Sequence, residues 1–169
     1  RAQTARGQSS IQSTLFLKQQ LIENMSDKIR VGKGIMELVG TGILLWTIQL
    51  AVGAEDPSFA PLAIGVVLVT IVYAGGPISG AHYNPAVSLA LLLAGRMDAA
   101  DLPLYWGAQL VGGFLGALLA GFVGGSYAVL SAGESSTWAQ ALVAELVFTM
   151  LLCLVVLSSA THSGAKNNS

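Results

Sequence analysis

The stretch Ser79-Gly-Ala-His-Tyr-Asn-Pro-Ala-Val-Ser88 lies between apolar segments that are long enough to cross a membrane. Asn84 and Pro85 are typical of a helix start, because Asn caps a helix and Pro fits its first position. The apolar residues 84–94 rise only roughly 16 Å, about half of a bilayer. Non-helical backbone at membrane depth occurs only where it is buried in protein or lines a water-filled cavity. The stretch therefore predicts a re-entrant loop, a half-helix and a polar path.

The composition places the whole chain in a membrane. Only 10% of its 169 residues are charged and 53% are hydrophobic, whereas soluble domains carry about 25% charged residues. Four segments approach the roughly 20 residues that a hydrocarbon core requires. They are residues 34–53, 59–78, 102–125 and 138–161. We therefore predict an all-α membrane protein with four transmembrane helices and one re-entrant half-helix over residues 84–94.

Two polar regions flank the predicted spans, at residues 1–33 and 162–169. Within the first region, apolar side chains recur near helical spacing. They are Ile11, Leu15, Leu21, Ile22, Met25 and Ile29. Two interpretations stay open for this region: an amphipathic helix lying on the membrane or against a partner, and a partly ordered tail.

The basic residues predict the orientation of the chain. With alternating spans, both ends and the connection after the half-helix lie on one side of the membrane. That side holds all eight basic residues: Arg1, Arg6, Lys18, Lys28, Arg30, Lys33, Arg96 and Lys166. The opposite loops hold Glu55, Asp56 and Glu134 and no Lys or Arg. The positive-inside rule therefore predicts that both ends lie in the cytoplasm or an equivalent compartment, of a membrane that the sequence does not identify.

Several function classes lack support in the sequence. The single cysteine, Cys153, excludes an internal disulfide, and the two histidines, His82 and His162, stand in different contexts. Metal-ligand clusters and nucleophile–base pairs are absent from the sequence, so we predict no enzyme activity, no metal and no cofactor. The sequence also has no basic stripe, so we expect no nucleic-acid partner. The expected partners are membrane lipid and the solute that passes through the polar path.

Two carboxylates stand inside predicted spans, where charged side chains are costly and are functional candidates. Glu37-Leu-Val-Gly-Thr41 in the first span is echoed by Glu145-Leu-Val-Phe-Thr149 in the fourth. One interpretation is a proton relay. The interpretation we favour is that each carboxylate accepts hydrogen bonds from loop N–H groups and braces a re-entrant segment. For His82 we favour a loop-shaping role over that of a ligand or pH sensor.

The loop has the chemistry of a selective polar path. A half-helix presents the positive end of its dipole, about half an elementary charge, near the bilayer centre. The amide of Asn84 can donate to a passing water or hydroxyl. We expect Gly75-Gly76, Pro77 and Ser79-Gly80 to break the second helix, and Gly80 with Ala81 to form extended backbone whose carbonyls act as acceptors. Such a line of groups passes neutral solutes and rejects protons and cations. The third span carries small residues four apart, which predicts close helix packing.

These residues closely resemble the major intrinsic proteins, the family of aquaporins and aquaglyceroporins. The resemblance rests on Glu37-x-x-Gly-Thr41, on Ile78-Ser-Gly-Ala-His-Tyr-Asn-Pro-Ala-Val87, on Gln109 with Gly112-Gly113, and on Glu145. It implies a bundle of six spans and two half-helices that meet at two Asn-Pro-Ala motifs. It also implies passive flow of water or small neutral solutes, with one pore per protomer of a homotetramer.

The resemblance implies a role for each residue of the site. Asn84, Pro85 and Ala86 are expected to form the first Asn-Pro-Ala motif, and Asn84 one of two pore asparagines. The carbonyls of Gly80, Ala81 and His82 are expected to supply half of the acceptor ladder. Glu37 and Glu145 are expected to brace the two loops.

One further position bears on selectivity. Ile64 matches the second-span position of the narrow selectivity filter, where water-selective members usually carry an aromatic residue or His. An aliphatic side chain there predicts that a larger neutral solute such as glycerol, urea or ammonia also passes.

The sequence contains one Asn-Pro-Ala motif, so the resemblance covers the first part of the family's fold. We expect the chain to be the N-terminal part of an aquaporin-like channel. The alternative is a truncated, non-conducting relative that is a structural subunit of a larger membrane complex.

Overall fold

The computed structural model describes residues 2–125 and 136–161. This part of the chain folds into five α-helices and two short 3-10 turns, Pro57–Phe59 and Ala99–Asp101, and contains no strand. The helices are α1 (Ala2–Val52), α2 (Ala60–Ser79), α3 (Pro85–Leu93), α4 (Leu102–Gly124) and α5 (Trp138–Thr161). We call residues 80–84, between α2 and α3, the re-entrant loop.

Four of the helices are long and apolar enough to cross a membrane. These candidate spans are Leu15–Val52, Pro57–Ser79, Ala99–Gly124 and Trp138–Ser159. The half-length helix α3 has 9 residues, so it rises only about 13.5 Å and cannot cross. The predicted all-α membrane fold of four spanning helices and one half-helix is confirmed.

The first helix is longer than the predicted first span. It begins at Ala2, so the change in composition near residue 33 coincides with no break in the helix. Its first part contains no proline, and the ladder of backbone hydrogen bonds therefore continues into the span. The structure describes a helix from Ala2 onward, and an amphipathic helix on the membrane or against a partner stays a prediction. Leu15, Ile22, Met25 and Ile29 on this extension are more than half exposed, and what they contact stays a prediction.

Helices α1 and α4 form the closest packing in the structure. A Cβ atom built on Gly112 would overlap the carbonyl of Leu38, and one on Gly116 would overlap the carbonyl of Gly42. The two backbones therefore touch directly at both glycines. Close approach of this kind stabilises helix pairs in lipid, where hydrophobic burial does not drive association. The prediction that the small residues of the third span serve packing is supported by this geometry.

Of the breaks expected at Gly75-Gly76, Pro77 and Ser79-Gly80, only the last one ends the second helix. The helix continues through Gly75, Gly76 and Pro77 to Ser79, and Gly80 terminates it with φ +86°. Pro77 removes one backbone donor, but a proline inside a membrane helix is tolerated when neighbouring groups satisfy the freed carbonyl. The expected break is therefore the left-handed Gly80 alone, a conformation that favours glycine.

A capped turn connects α1 to α2 outside the predicted spans. The Asp56 carboxylate accepts hydrogen bonds from the backbone N–H and the hydroxyl of Ser58, at 3.0 and 2.5 Å. Both bonds hold the pKa of Asp56 below its ordinary value, and the bond from the Ser58 hydroxyl has the larger effect. This turn is the natural start for α2, whose second residue is Pro61.

Candidate functional site

The centre of the site is the carboxylate of Glu37, which α1 presents toward the re-entrant loop. Glu37 has no exposed surface. Its Oε1 accepts from the Ser79 hydroxyl at 2.6 Å and from the His82 backbone N–H at 3.0 Å. Its Oε2 accepts from the Tyr83 backbone N–H at 2.7 Å and from Gln109 Nε2 at 2.8 Å. One side chain therefore ties α1 to the end of α2, to the loop and to α4.

Gln109 and Ser88 extend this network to the half-helix. Gln109, 2% exposed, also donates from Nε2 to the Ser88 hydroxyl at 3.0 Å. Ser88 Oγ lies 3.0 Å from His82 Nδ1 as well. Neither Gln109 nor Ser88 has a role predicted from the sequence. A usable signal was present, because Gln109 is the only amide or charged side chain between Leu102 and Gly124.

The backbone of the loop is left-handed at three positions. After Gly80, both Ala81 (φ +53°) and Tyr83 (φ +48°) adopt a conformation that side chains other than glycine rarely adopt. The prediction of extended backbone at Gly80 and Ala81 is therefore wrong. The two bonds that Glu37 accepts from the backbone N–H groups of His82 and Tyr83 offset this unfavourable conformation, because hydrogen bonds to a charged group are among the strong ones.

Tyr83 locks the loop against α1 and α2. Its side chain is 2% exposed, and its hydroxyl donates to the Ile71 carbonyl at 3.0 Å. A Cβ built on Gly40 would overlap the Tyr83 ring, and one on Gly75 would overlap its hydroxyl. Two helices thus carry glycine where the phenol packs, and Tyr83 fixes the depth of the loop.

Tyr83→Phe is expected to lower the stability of the folded protein modestly. It removes one buried hydrogen bond and leaves the ring in place, so the loss is about 1 kcal/mol. The midpoint of thermal unfolding in detergent measures it. Tyr73→Phe is the matched control, because Tyr73 is 88% exposed on α2. Equal midpoints for the two variants would contradict the role of the hydroxyl.

The half-helix begins as the Asn-Pro pair predicts. Asn84 has extended backbone and its Oδ1 accepts from the Ala86 N–H at 2.8 Å, with Pro85 in the first helical position. Trp106 Nε1 donates to the Pro85 carbonyl at 3.1 Å, and the Tyr105 hydroxyl donates to the Ser79 carbonyl at 2.5 Å. Adjacent residues of α4 therefore hold both sides of the loop.

Several polar groups of the loop have no partner within residues 2–125 and 136–161. The carbonyls of Gly80, Ala81 and His82 accept no hydrogen bond there, and Asn84 uses only Oδ1, so its amide N–H groups are free. Gly80 is exposed, and His82 and Asn84 are half-buried. At membrane depth such groups are tolerated only where water or another polar surface reaches them.

Comparison with known proteins agrees with this geometry. The family profile described as "Major intrinsic protein" matches residues 10–169. The chain belongs to the major intrinsic protein family. Its recognition from the Ser-Gly-x-His-x-Asn-Pro-Ala signature is confirmed. A member of this family with four long apolar helices is an integral, multi-pass membrane protein.

Three relatives illustrate the extent of the similarity. Aquaporin-8 of Rattus norvegicus is 37% identical over 146 residues, which cover 76% of this chain and 53% of the relative. Aquaporin Z of Brucella melitensis is 37% identical over 113 residues, 59% of this chain and 49% of the relative. Aquaporin-5 of Sus scrofa is 40% identical over 121 residues, 65% of this chain and 46% of the relative. The chain spans about half the length of these curated relatives.

Glu145 and Ile64, two predicted site residues of this major intrinsic protein, lie apart from the Glu37 network. Glu145 is exposed on α5, and no side chain in the described ranges bonds to it. Ile64 is half-buried on α2, 16 residues before Gly80 and therefore about 24 Å along the helix axis from the loop. The His82 ring packs against Tyr105, with ring centroids 4.7 Å apart. Over the same described ranges, acidic, His and Cys side chains form no group of three that could hold a metal ion.

Proposed function

We propose that this chain forms part of a passive membrane channel for water and small neutral solutes. The observation that carries the proposal is the set of unpartnered loop groups beside the start of α3. These are the carbonyls of Gly80, Ala81 and His82 and the amide of Asn84. They offer three acceptors and one donor to a molecule that enters the membrane at this depth. Passive flow needs no covalent chemistry, and no enzyme activity is proposed.

The order of these groups explains how the path would pass neutral solutes and reject cations and protons. A water molecule donates to the loop carbonyls and then accepts from the Asn84 amide, so its hydrogen bonds are replaced as it moves. The N-terminus of α3 adds the positive end of a helix dipole at the same place. Cations and protons meet a repulsive field there, while neutral solutes do not.

In this account Glu37 is a brace and not a proton carrier. Its two oxygens already accept four hydrogen bonds from Ser79, His82, Tyr83 and Gln109. Glu145, the other carboxylate that a proton relay would need, is exposed on a different helix. We propose the equivalent bracing role for Glu145, toward a second loop of the kind that the family resemblance implies.

The proposed orientation and partners of the chain follow from its basic residues and from the family resemblance. Arg30 and Lys33 of α1 lie beside Asp101, so they share one side with Arg96 and the outer end of α3. We propose that this basic side faces the cytoplasm or an equivalent compartment. Partners would be membrane lipid, the solutes and three further copies in a homotetramer, as the resemblance implies.

Asn84→Ala is expected to reduce water permeability in vesicles that contain the full-length protein. The variant loses the free amide donor, and one missing hydrogen bond of about 1 kcal/mol corresponds to roughly fivefold slower passage. It also loses the cap bond to Ala86. Asn24→Ala on the exposed extension of α1 is the control. Equal permeability of Asn84→Ala, Asn24→Ala and wild type would contradict a path at the loop.

Ile64 leads to a separate expectation about selectivity. Vesicles with the wild-type protein should pass glycerol, urea or ammonia in addition to water. Ile64→His should lower glycerol flux relative to water flux by about tenfold, because a change of even one methylene in an apolar pocket alters discrimination by about 1–3 kcal/mol. Ile64→Val, which stays aliphatic, should keep the wild-type ratio. A protein that conducts water and excludes all three solutes would contradict this expectation.

The alternative of a non-conducting structural subunit stays a prediction, and the same vesicles test it. A full-length protein that inserts, folds and leaves water permeability at the level of empty vesicles would favour that alternative over the channel.

A further inference from the structure

Three charged side chains outside the Glu37 network meet where α1 leaves its membrane span. We call Arg30, Lys33 and Asp101 the Asp101 clasp. Arg30 Nε lies 2.9 Å from Asp101 Oδ1, and Lys33 Nζ lies 3.2 Å from Oδ2. Arg30 also donates from a terminal guanidinium nitrogen to the Ala100 carbonyl at 3.0 Å. Each oxygen of the carboxylate thus has its own cation.

The clasp differs from an ordinary surface ion pair. The Asp101 side chain is only 12% exposed, whereas those of Arg30 and Lys33 are 44% and 32% exposed. Exposed pairs contribute little because water and salt screen them. A buried carboxylate needs its partners, since removing them leaves an uncompensated charge. The Asp101 carboxylate is therefore committed to this position on α1.

The Asp101 clasp and Glu37 hold opposite ends of the segment that consists of the re-entrant loop, α3 and the connection to α4. Arg30 and Lys33 precede Glu37 by seven and four residues, so α1 presents the contacts about 10 and 6 Å apart along its axis. Glu37 holds the inner end of the segment through the N–H groups of His82 and Tyr83. The clasp holds the outer end, where the segment from α3 joins α4.

The outer end of α3 is packed on one side only, where Leu91 is 5% exposed. Leu93, its last residue, is 79% exposed. The connection that follows is tightly turned: Gly95 has φ +68°, Arg96 N–H donates to the Leu91 carbonyl at 2.8 Å, and Asp98 caps the Ala99–Asp101 turn. Because this connection is tightly turned, a restraint on Asp101 also restrains the last turn of α3.

We propose that Asp101 is a positioning residue, which holds the outer end of the half-helix through Arg30 and Lys33 and so keeps Asn84 in place. The inference rests on the proposed channel function and deepens it. The half-helix is restrained at both ends by one helix, α1, and each restraint uses a buried carboxylate. Neither restraint touches the solute.

The test compares Asp101→Asn with wild type and with two other variants. Asp101→Glu keeps the charge, and Asp98→Asn changes an exposed carboxylate of the same turn that has no cation partner within the described ranges. In Asp101→Asn, amide hydrogen exchange over residues 90–93 should accelerate about tenfold, because local opening sets protection there. Exchange within α2 and α4 should stay unchanged. Water permeability per protein should fall about threefold, as the population with a correctly placed half-helix decreases.

Two further comparisons decide whether Asp101 positions the half-helix. The double variant Arg30→Gln with Lys33→Gln should match Asp101→Asn, and the triple variant should add nothing, because the three residues act as one unit. Asp101→Glu and Asp98→Asn should stay within about twofold of wild type. Equal exchange in Asp101→Asn and wild type would overturn the proposal. So would acceleration spread evenly over all helices, which would mark a purely structural residue.

The outcomes also separate this proposal from the channel. If Asp101→Asn does not fold, Arg30→Gln, which keeps Lys33 as a partner, replaces it and should show a smaller acceleration confined to residues 90–93; exchange equal to wild type would overturn the proposal. If the wild-type protein conducts no water, the proposed function fails. The exchange comparison still decides whether Asp101 holds the half-helix.

Discussion

Glu37→Gln is expected to destabilise the folded protein by about 3 kcal/mol or more, since each hydrogen bond to a charged group contributes roughly 1.5–3 kcal/mol. The glutamine has nearly the same shape, but one oxygen becomes an NH2 group that faces donors. Of the four donors, the N–H groups of His82 and Tyr83 belong to backbone that cannot turn away. The loop should therefore lose its left-handed conformation, and water permeability should fall together with stability.

The measurement for Glu37→Gln is the midpoint of thermal unfolding in detergent, followed by vesicle permeability of whatever protein remains folded. Glu55→Gln is the matched control, because Glu55 is exposed outside the predicted spans. A Glu37→Gln protein as stable as Glu55→Gln would contradict the brace. A stable Glu37→Gln protein that lost only pH-driven uptake would instead support the proton relay.

Gly112→Ala is expected to have the second largest effect. The added Cβ would overlap the carbonyl of Leu38 on α1, and both atoms belong to rigid helical backbone. Helices α1 and α4 must then move apart, which also separates Glu37 from Gln109. Overpacking usually costs about 1–3 kcal/mol, and we expect the upper part of that range because no flexible side chain can yield.

Gly107→Ala on the same helix is the control for this variant. A Cβ at Gly107 has nothing within 4 Å, and alanine favours a helix by up to about 1 kcal/mol over glycine. Unfolding midpoints should therefore drop for Gly112→Ala and stay level or rise for Gly107→Ala. A drop of equal size in both variants would mean that backbone contact at Gly112 is not the cause.

The half-helix could be predicted from sequence because its signals are local. Asn84 and Pro85 specify a helix start by their own chemistry, and the short apolar run to Ala94 limits its length. Membrane depth then leaves few alternatives for the backbone between two spans. Glu37 stood out for a similar reason, since a carboxylate inside a span demands partners.

The partners themselves could not be predicted from local signals. Gln109 and Ser88 are 72 and 51 residues from Glu37 in the chain, and only the tertiary fold brings them together. The left-handed Ala81 and Tyr83 carry no local signal either, because partners elsewhere hold them: Tyr83 N–H donates to Glu37, and Ala81 N–H donates to the Ser79 hydroxyl that Glu37 binds. Pro77 was read as a helix break because in water it would be one.

For the first part of α1 a local signal was present in the sequence, but it did not decide between two interpretations. Residues 2–33 lack a proline, and their helical spacing was visible in the sequence. A polar helix on its own is marginal in water, so two interpretations stayed open. Continuity with a stable membrane span removes the cost of helix nucleation, which explains why α1 extends back to Ala2.

We propose that water crosses the membrane beside the re-entrant loop, and osmotic shrinkage of vesicles measures this crossing. Vesicles with the full-length wild-type protein should shrink severalfold faster than empty vesicles, with proton leakage unchanged. Shrinkage at the rate of empty vesicles, by protein shown to be inserted and folded, would contradict the claim.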